Sequence, residues 1–441
     1  GKDIIGLGAG EPDFDTPAHI KAAAIQAIND GFTRYTAVDG TPSLKQAIIA
    51  KFKRDNGLDY NPDQILVSCG GKQSFYNLCQ ALLNPGDEVV IPAPYWVSYP
   101  DLVRLADGEP VIIRAGVDTR FKITPEQLET AITPKTRIVV INSPSNPTGV
   151  AYSMAELAAL GEVLKKCPQV LVATDDMYEH ILWSEEPFSN ILNACPELYA
   201  RTIVLNGVSK VYAMTGWRIG YAGGPADLIK AMKKVQSQST SNPTSISQVA
   251  AQTALEGDQS CIEPMIKAFK ERHDYVVATL NDIPGVVCLP ADGTIYCFPQ
   301  VQGVIDRLED VKDDVQHAAS LLVLKTLWSP GHRQPRDHRS RTLVRYQESQ
   351  FRVVELQVAR HDPTQLPRRR LVLGHLFDDF HGCSATQRLV ADGLFQTTVI
   401  DCLKQQVLQR HAHANPVQGV QHVHRRQQTH DQANQRLDPS N

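Results

Sequence analysis

Lys210 and Arg218 stand eight positions apart in the stretch Ser209-Lys210-Val211-Tyr212-Ala213-Met214-Thr215-Gly216-Trp217-Arg218-Ile219-Gly220. A lysine amine attacks aldehydes once low dielectric or a nearby cation keeps part of it unprotonated, and an arginine fork beside it can hold a phosphate. Alone, such a lysine reads as a solvated loop residue; its company argues otherwise. Upstream, Asp175 and Tyr178 follow another apolar run. An aspartate at that place, taken alone, reads first as a helix cap. Asn146 opens the turn Asn146-Pro147-Thr148-Gly149, and its amide is free to be a ligand as well as a turn former. Trp96 can fill a core or lie on a ring face. Gly70-Gly71-Lys72 precedes an amphipathic stretch whose first backbone N–H groups and dipole suit an anion.

The elements that must position these residues alternate. Gln64 to Cys69, Glu88 to Pro92, Arg137 to Asn142, Val170 to Thr174 and Thr202 to Asn206 read as buried strands. Lys72 to Leu83 and Met154 to Lys166 read as helices, the first with Phe75, Leu78, Cys79 and Leu82 on one face and a stop at Asn84-Pro85-Gly86-Asp87. Such alternation predicts an α/β fold with a mostly parallel sheet sandwiched by helices. Ligands of these sheets bind beyond the carboxyl ends of the strands, where the polar candidates fall.

Composition narrows the class. A net charge of −4 over 441 residues gives no general attraction to nucleic acid or membrane. No apolar run reaches the roughly 18 residues that span a bilayer. Nine scattered cysteines without a C-x-x-C pair argue against a disulfide framework or structural zinc, and so for a reducing, cytoplasmic setting. The start, Gly1-Lys2-Asp3, has neither a signal-peptide pattern nor a methionine, so the natural N-terminus is expected to lie elsewhere. Basic usage inverts along the chain: residues 1–315 hold 17 Lys and 10 Arg, residues 316–441 hold 2 Lys and 15 Arg with 11 of the 14 histidines. This tail is either a basic interaction segment or sequence never selected to fold, such as an out-of-frame read-through, and its composition without a recognisable binding pattern favours the second.

Ser-Lys-x(7)-Arg-Ile-Gly resembles the lysine signature of the class I aminotransferases, fold type I enzymes that use pyridoxal 5'-phosphate (PLP). Seven further segments agree in order: Gly10–Pro17, Tyr35–Pro42, Gly70–Gln73, Pro94–Tyr99, Asn146–Gly149, Asp175–Tyr178 and Ala291–Tyr296. The likeness is to the bacterial aspartate aminotransferase branch and covers about residues 1–315. It implies that Lys210 carries the cofactor as a Schiff base and moves protons, that Asp175 keeps the pyridine nitrogen protonated, and that Asn146 and Tyr178 address the ring oxygen while Trp96 stacks on the ring. Gly71, Lys72 and Arg218 would hold the phosphate, joined by Tyr35 from a second subunit of a homodimer. Gly207 replaces a serine the family can carry, so that phosphate contact is either missing or supplied by Ser209. Lys72 would approach the distal carboxylate of aspartate, with Gly10, Asn146 and Trp96 near the rest of the substrate; the weaker alternative is a solvent-exposed helix-start lysine. The resemblance divides the chain into a large PLP-binding domain over 16–275, a small domain begun by 1–15 and 276–315 and left incomplete, and the tail.

The implied reaction takes a small amino acid and a 2-oxo acid: L-aspartate and 2-oxoglutarate become oxaloacetate and L-glutamate by a ping-pong route. Prephenate or aromatic substrates are the alternative within the same chemistry; a truncated, non-catalytic PLP-binding module is the alternative outside it. The family's arginine for the α-carboxylate has no matching segment, and Gly331-His332-Arg333 and Arg339-Ser340-Arg341 earn no assignment. Gly6-Leu7-Gly8-Ala9-Gly10 lacks the spacing and following helix of a dinucleotide loop. The tail histidines lack partner ligands for a metal, and Pro367-Arg368-Arg369-Arg370 reads as a solvated charge run.

Overall fold

A computed structural model describes residues 10–307 and the backbone of two short strands, Leu343–Arg345 and Glu355–Gln357. The tail's arginine and histidine clusters lie outside the described residues. The centre is a seven-stranded sheet: β1 (Ile65–Ser68), β2 (Glu88–Ala93), β3 (Glu109–Arg114), β4 (Thr136–Asn142), β5 (Leu171–Asp175), β6 (Thr202–Gly207) and β7 (Gly220–Gly223), in spatial order β1-β7-β6-β5-β4-β2-β3. Neighbours pair in parallel except at β7, which runs antiparallel to both β1 and β6. The helices that cover it include α1 (Ala18–Asn29), α2 (Pro42–Asn56), α3 (Gly71–Leu82), α4 (Ser98–Arg104), α5 (Pro125–Ala131), α6 (Met154–Lys165), α7 (Ile191–Ala194), α8 (Ala226–Ser239), α9 (Ser245–Glu256) and α10 (Ile262–Asn281). This is the helix-covered, mostly parallel sheet that the alternation predicts, with each predicted element ending within a residue of its observed bounds.

Strand β4 shows why the runs are apolar throughout. Successive side chains point to opposite faces. Val139 and Ile141 join one core, with Val67, Val172, Val204 and residues of α2, α6 and α9. Ile138 and Val140 join the other, with Leu66, Val89, Ala173, Leu205 and residues of α3, α4 and α8. Each such aliphatic chain contributes about 1.5–3 kcal/mol on leaving water, so a polar residue at any of these positions would cost a core on one side.

Helix starts follow local chemistry. The Ser153 hydroxyl accepts from Glu156 N at 3.2 Å while the Glu156 carboxylate takes the Ser153 N–H at 2.8 Å, closing a capping box for α6. Thr41 caps α2, with Pro42 in its first turn. Helix α3 differs: it starts after Gly70, at φ 90°, with no side chain capping it. Its first N–H groups therefore point out beyond the sheet. Among the described residues no helix is long and apolar enough to cross a membrane.

Candidate active site

The parallel strands deliver their carboxyl ends to one edge. Asp175 is the last residue of β5 and lies in register with Asn142 on β4 and Leu205 on β6. Ser209 and Lys210 follow β6, Asn146 follows β4, Trp96 lies between β2 and α4, and Gly70 to Lys72 join β1 to α3. Because β7 runs the other way, its beginning, with Arg218 just before it, lies at the same edge.

Asp175 is fixed from several sides. The Tyr99 hydroxyl donates to its Oδ2 at 2.5 Å, the Met177 N–H to its Oδ1 at 3.3 Å, and the Asn142 amide to its backbone oxygen at 2.9 Å. No helix begins at Asp175, so the capping alternative reduces to this two-residue turn. Burial pushes its carboxyl above the ordinary range, opposed by the Tyr99 hydroxyl, the Met177 N–H and the charge of Lys210. A carboxylate so placed gains from a cationic partner.

Tyr178, 3% exposed, sets its hydroxyl 2.7 Å from that of Tyr296, which accepts from Asn146 Nδ2 at 3.2 Å. Asn142 Oδ1 in turn accepts the Asn146 N–H at 2.7 Å, so Asn146 is held by β4 as well as by its turn. The Lys210 amine donates to the Gly10 carbonyl oxygen and lies 5.9 Å from the Tyr178 ring centre. The ammonium of Lys72, exposed at the start of α3, lies 5.2 Å from the Trp96 ring centre, and Trp96 packs edge-on to Tyr99 at 5.3 Å. Lys72 is thus tied to the site's rim.

Arg218 donates to the carbonyl oxygens of Thr215 at 2.8 Å and Cys69 at 3.3 Å. A Cβ on Gly70 would lie 2.2 Å from its guanidinium, and one on Gly220 would lie 2.3 Å from the Gly71 nitrogen. The fork therefore lies against the uncapped start of α3, and glycines allow the approach. A Cβ on Gly207 would come within 3.1 Å of Gly220 Cα and Met177 Cε, so a serine there needs its neighbours to give by a few tenths of an ångström. Ser209 is buried beside Lys210. Tyr35 is not brought to this site by its own chain: its side chain is 92% exposed, which removes the buried-core alternative.

Two contributors escaped the sequence reading. Tyr99 lies at the end of the Pro94–Tyr99 segment, and nothing in its spacing marks it as the partner of Asp175. Tyr296 likewise closed the last motif, more than 100 residues from its partners, and only the fold reveals the contact.

The arrangement suits PLP on chemical grounds. An uncapped helix start with an arginine fork, a buried carboxylate, an amide and a phenol, and a lysine amine gathered at one strand edge are the group types that could hold a phosphate, a ring nitrogen, a ring oxygen and an aldehyde.

Residues 2–325 match the sequence profile of the class I and II aminotransferases. An aspartate/prephenate aminotransferase of Nitrosomonas europaea is 66% identical over 308 residues, 70% of this chain and 78% of that one. An aspartate aminotransferase of Geobacillus stearothermophilus is 53% identical over 302 residues, 68% of this chain and 77% of that one. The crystal structure of the aspartate aminotransferase of Rhizobium meliloti superposes with a TM-score of 0.72 at 45% identity, covering 81% of this chain and 87% of that one. The strand-edge site and these relationships together make the chain a member of the class I and II aminotransferase family, a PLP-dependent aminotransferase acting on small molecules.

Proposed function

We propose that this aminotransferase carries the amino group of L-aspartate to 2-oxoglutarate, releasing oxaloacetate and then L-glutamate from one site used in turn. The observation that carries the reading is the Lys72 ammonium 5.2 Å from the Trp96 ring centre at the strand edge that also carries Lys210, a cation available to a second carboxylate. Relatives named aspartate aminotransferase support it.

PLP, when bound, supplies an aldehyde that joins amines covalently and a ring that takes up the electrons released at the substrate Cα. Lys210 Nζ is the amine that would hold that aldehyde and, once an incoming amino acid has replaced it, would take the Cα proton. Asp175 would keep the ring nitrogen positively charged, Asn146 and Tyr178 would serve the ring oxygen, and Trp96 would cover the ring. Gly71 and Lys72 N–H groups, Ser209 and Arg218 hold the phosphate. Gly10 and Asn146 flank the α-carboxylate.

The working unit is a homodimer in the cytoplasm. Tyr35 lies with half-exposed Ile28 and Phe32 on one surface stretch and reaches the phosphate of a second copy. The reading divides the chain into a large domain over 16–275 and a small one begun by 1–15 and 276–315.

Lys210→Ala tests the core of this proposal: it should abolish aspartate turnover and the covalent, borohydride-trappable cofactor. Normal turnover by that variant would sink it. The relatives named aspartate/prephenate aminotransferase favour a second reading in which prephenate also accepts the amino group. Comparing kcat/KM for prephenate and 2-oxoglutarate with aspartate as donor decides between them.

A further inference from the structure

Tyr296 joins the two donors that the proposed function aims at the cofactor's ring oxygen. Its hydroxyl is 2.7 Å from that of Tyr178 and takes an N–H of Asn146 at 3.2 Å. The side chain is 3% exposed, edge-on to the Tyr178 ring at 5.7 Å, in a cluster with Ile181, Met265 and Phe269. A Cβ on Gly10 would lie 2.9 Å from the Tyr296 hydroxyl, so this oxygen also lies against the residue whose carbonyl takes the Lys210 amine.

The loop that brings Tyr296 here is sewn to both donor-bearing segments. Asp292 N and Gly293 N both donate to Gly149 O at 3.0 Å, and Ala151 N donates to Asp292 Oδ2 at 2.9 Å, beside Asn146. Beyond Tyr178, Thr294 N donates to Ile181 O at 2.8 Å and Trp183 N to Asp292 O at 2.9 Å. A loop tied to the Asn146 turn on one side and the Tyr178 turn on the other fixes the separation of the two. One proton is shared between the two phenol oxygens, and the Tyr296 oxygen also takes an Asn146 N–H, so Tyr296 is the common partner through which both side chains are held.

We propose that Tyr296 is a positioning residue of this aminotransferase, which holds Tyr178 and Asn146 in the alignment from which they meet the cofactor's ring oxygen. The inference rests on the proposed roles of those two residues. Without Tyr296, Tyr178 becomes a less well aligned donor, the ring oxygen is less stabilised as an anion, and the Lys210 linkage holds its proton more tightly.

The test is a visible-absorbance pH titration of the PLP-loaded full chain, wild type against Tyr296→Phe, each repeated in a Tyr178→Phe background. The Phe ring fills the same apolar cluster, and a melting temperature within a few degrees of wild type checks that. Tyr296→Phe should raise the midpoint of the absorbance transition by about half to one pH unit, the size of one net hydrogen bond. It should lower kcat about three- to tenfold with KM for aspartate nearly unchanged, and its shift should largely vanish when Tyr178 is already Phe. An unmoved midpoint, or an equal shift in both backgrounds, overturns the proposal. A wild-type chain with no Lys210-linked absorbance overturns the underlying reading as well, and is told apart because no titration then exists to compare.

Discussion

Asp175 and Asp176 are chain neighbours that serve opposite sides of the β5 end. Asp175 faces the site, where it meets a phenol, a backbone N–H and the charge of Lys210. Asp176 faces inward with no exposed surface, its oxygens taken by the Thr174 hydroxyl at 2.6 Å and the Asn190 amide at 2.9 Å. Behind it, Glu179 accepts from Lys51, from Asn56 at 2.7 Å and from Asn206 at 2.8 Å, and Asp55 takes His180 and Arg54. The inner group answers its charges from within the chain, which makes it a strut between α2 and the site loops. The outer carboxylate meets only neutral donors and the more distant charge of Lys210, on the side where the proposed function places the cofactor.

If that contrast holds, the two sides should fail differently. The largest effect falls on the inner group. Lys51→Met leaves Glu179 buried without its cation and should lower unfolding stability by about 3–5 kcal/mol, read from urea melts; a loss under 1 kcal/mol would break the strut reading. Asp175→Asn should leave the melting temperature unchanged or slightly higher, because burial disfavours the charge it removes, while kcat falls about 10²- to 10³-fold. A variant that loses stability and keeps turnover would reverse the assignment. The smallest effect is a slope. Burial and Glu179 push Asp176 up to about 7 from the ordinary 3.8. A carboxyl raised in the folded state contributes stability that is fully present below its unfolded value and is lost as pH rises through its folded one. Asp176→Asn should therefore gain about 1–3 kcal/mol relative to wild type between pH 5 and 8. A pH-independent difference between the two melts would remove the shared-charge account.

Much of this organisation was legible because strands buried on both faces leave continuous apolar runs, as at Arg137 to Asn142, and because the family motifs lie just after them. Strand β7 was not legible. Gly-Tyr-Ala-Gly has little strand propensity, and its glycines answer to packing instead: a Cβ on Gly223 would press within 3.1 Å of Phe52 and Tyr60, and Gly220 lies against the α3 start. The inner group was equally hidden, since Lys51, an ordinary amphipathic-helix lysine by sequence, meets Glu179 only through a contact 128 residues long. Tyr35 shows the reverse: the motif flagged it, while one chain alone gives it no contact that explains the flag.

The antiparallel entry of β7 has a dynamic consequence. Lys210 and Arg218, the proposed covalent and ionic anchors of PLP, both sit on the connection 208–219 between the antiparallel strands β6 and β7, so they should open as one unit rather than two. Cofactor retention and the amide exchange of Asn206 and Tyr221, which face each other across that strand pair, should then rise and fall together.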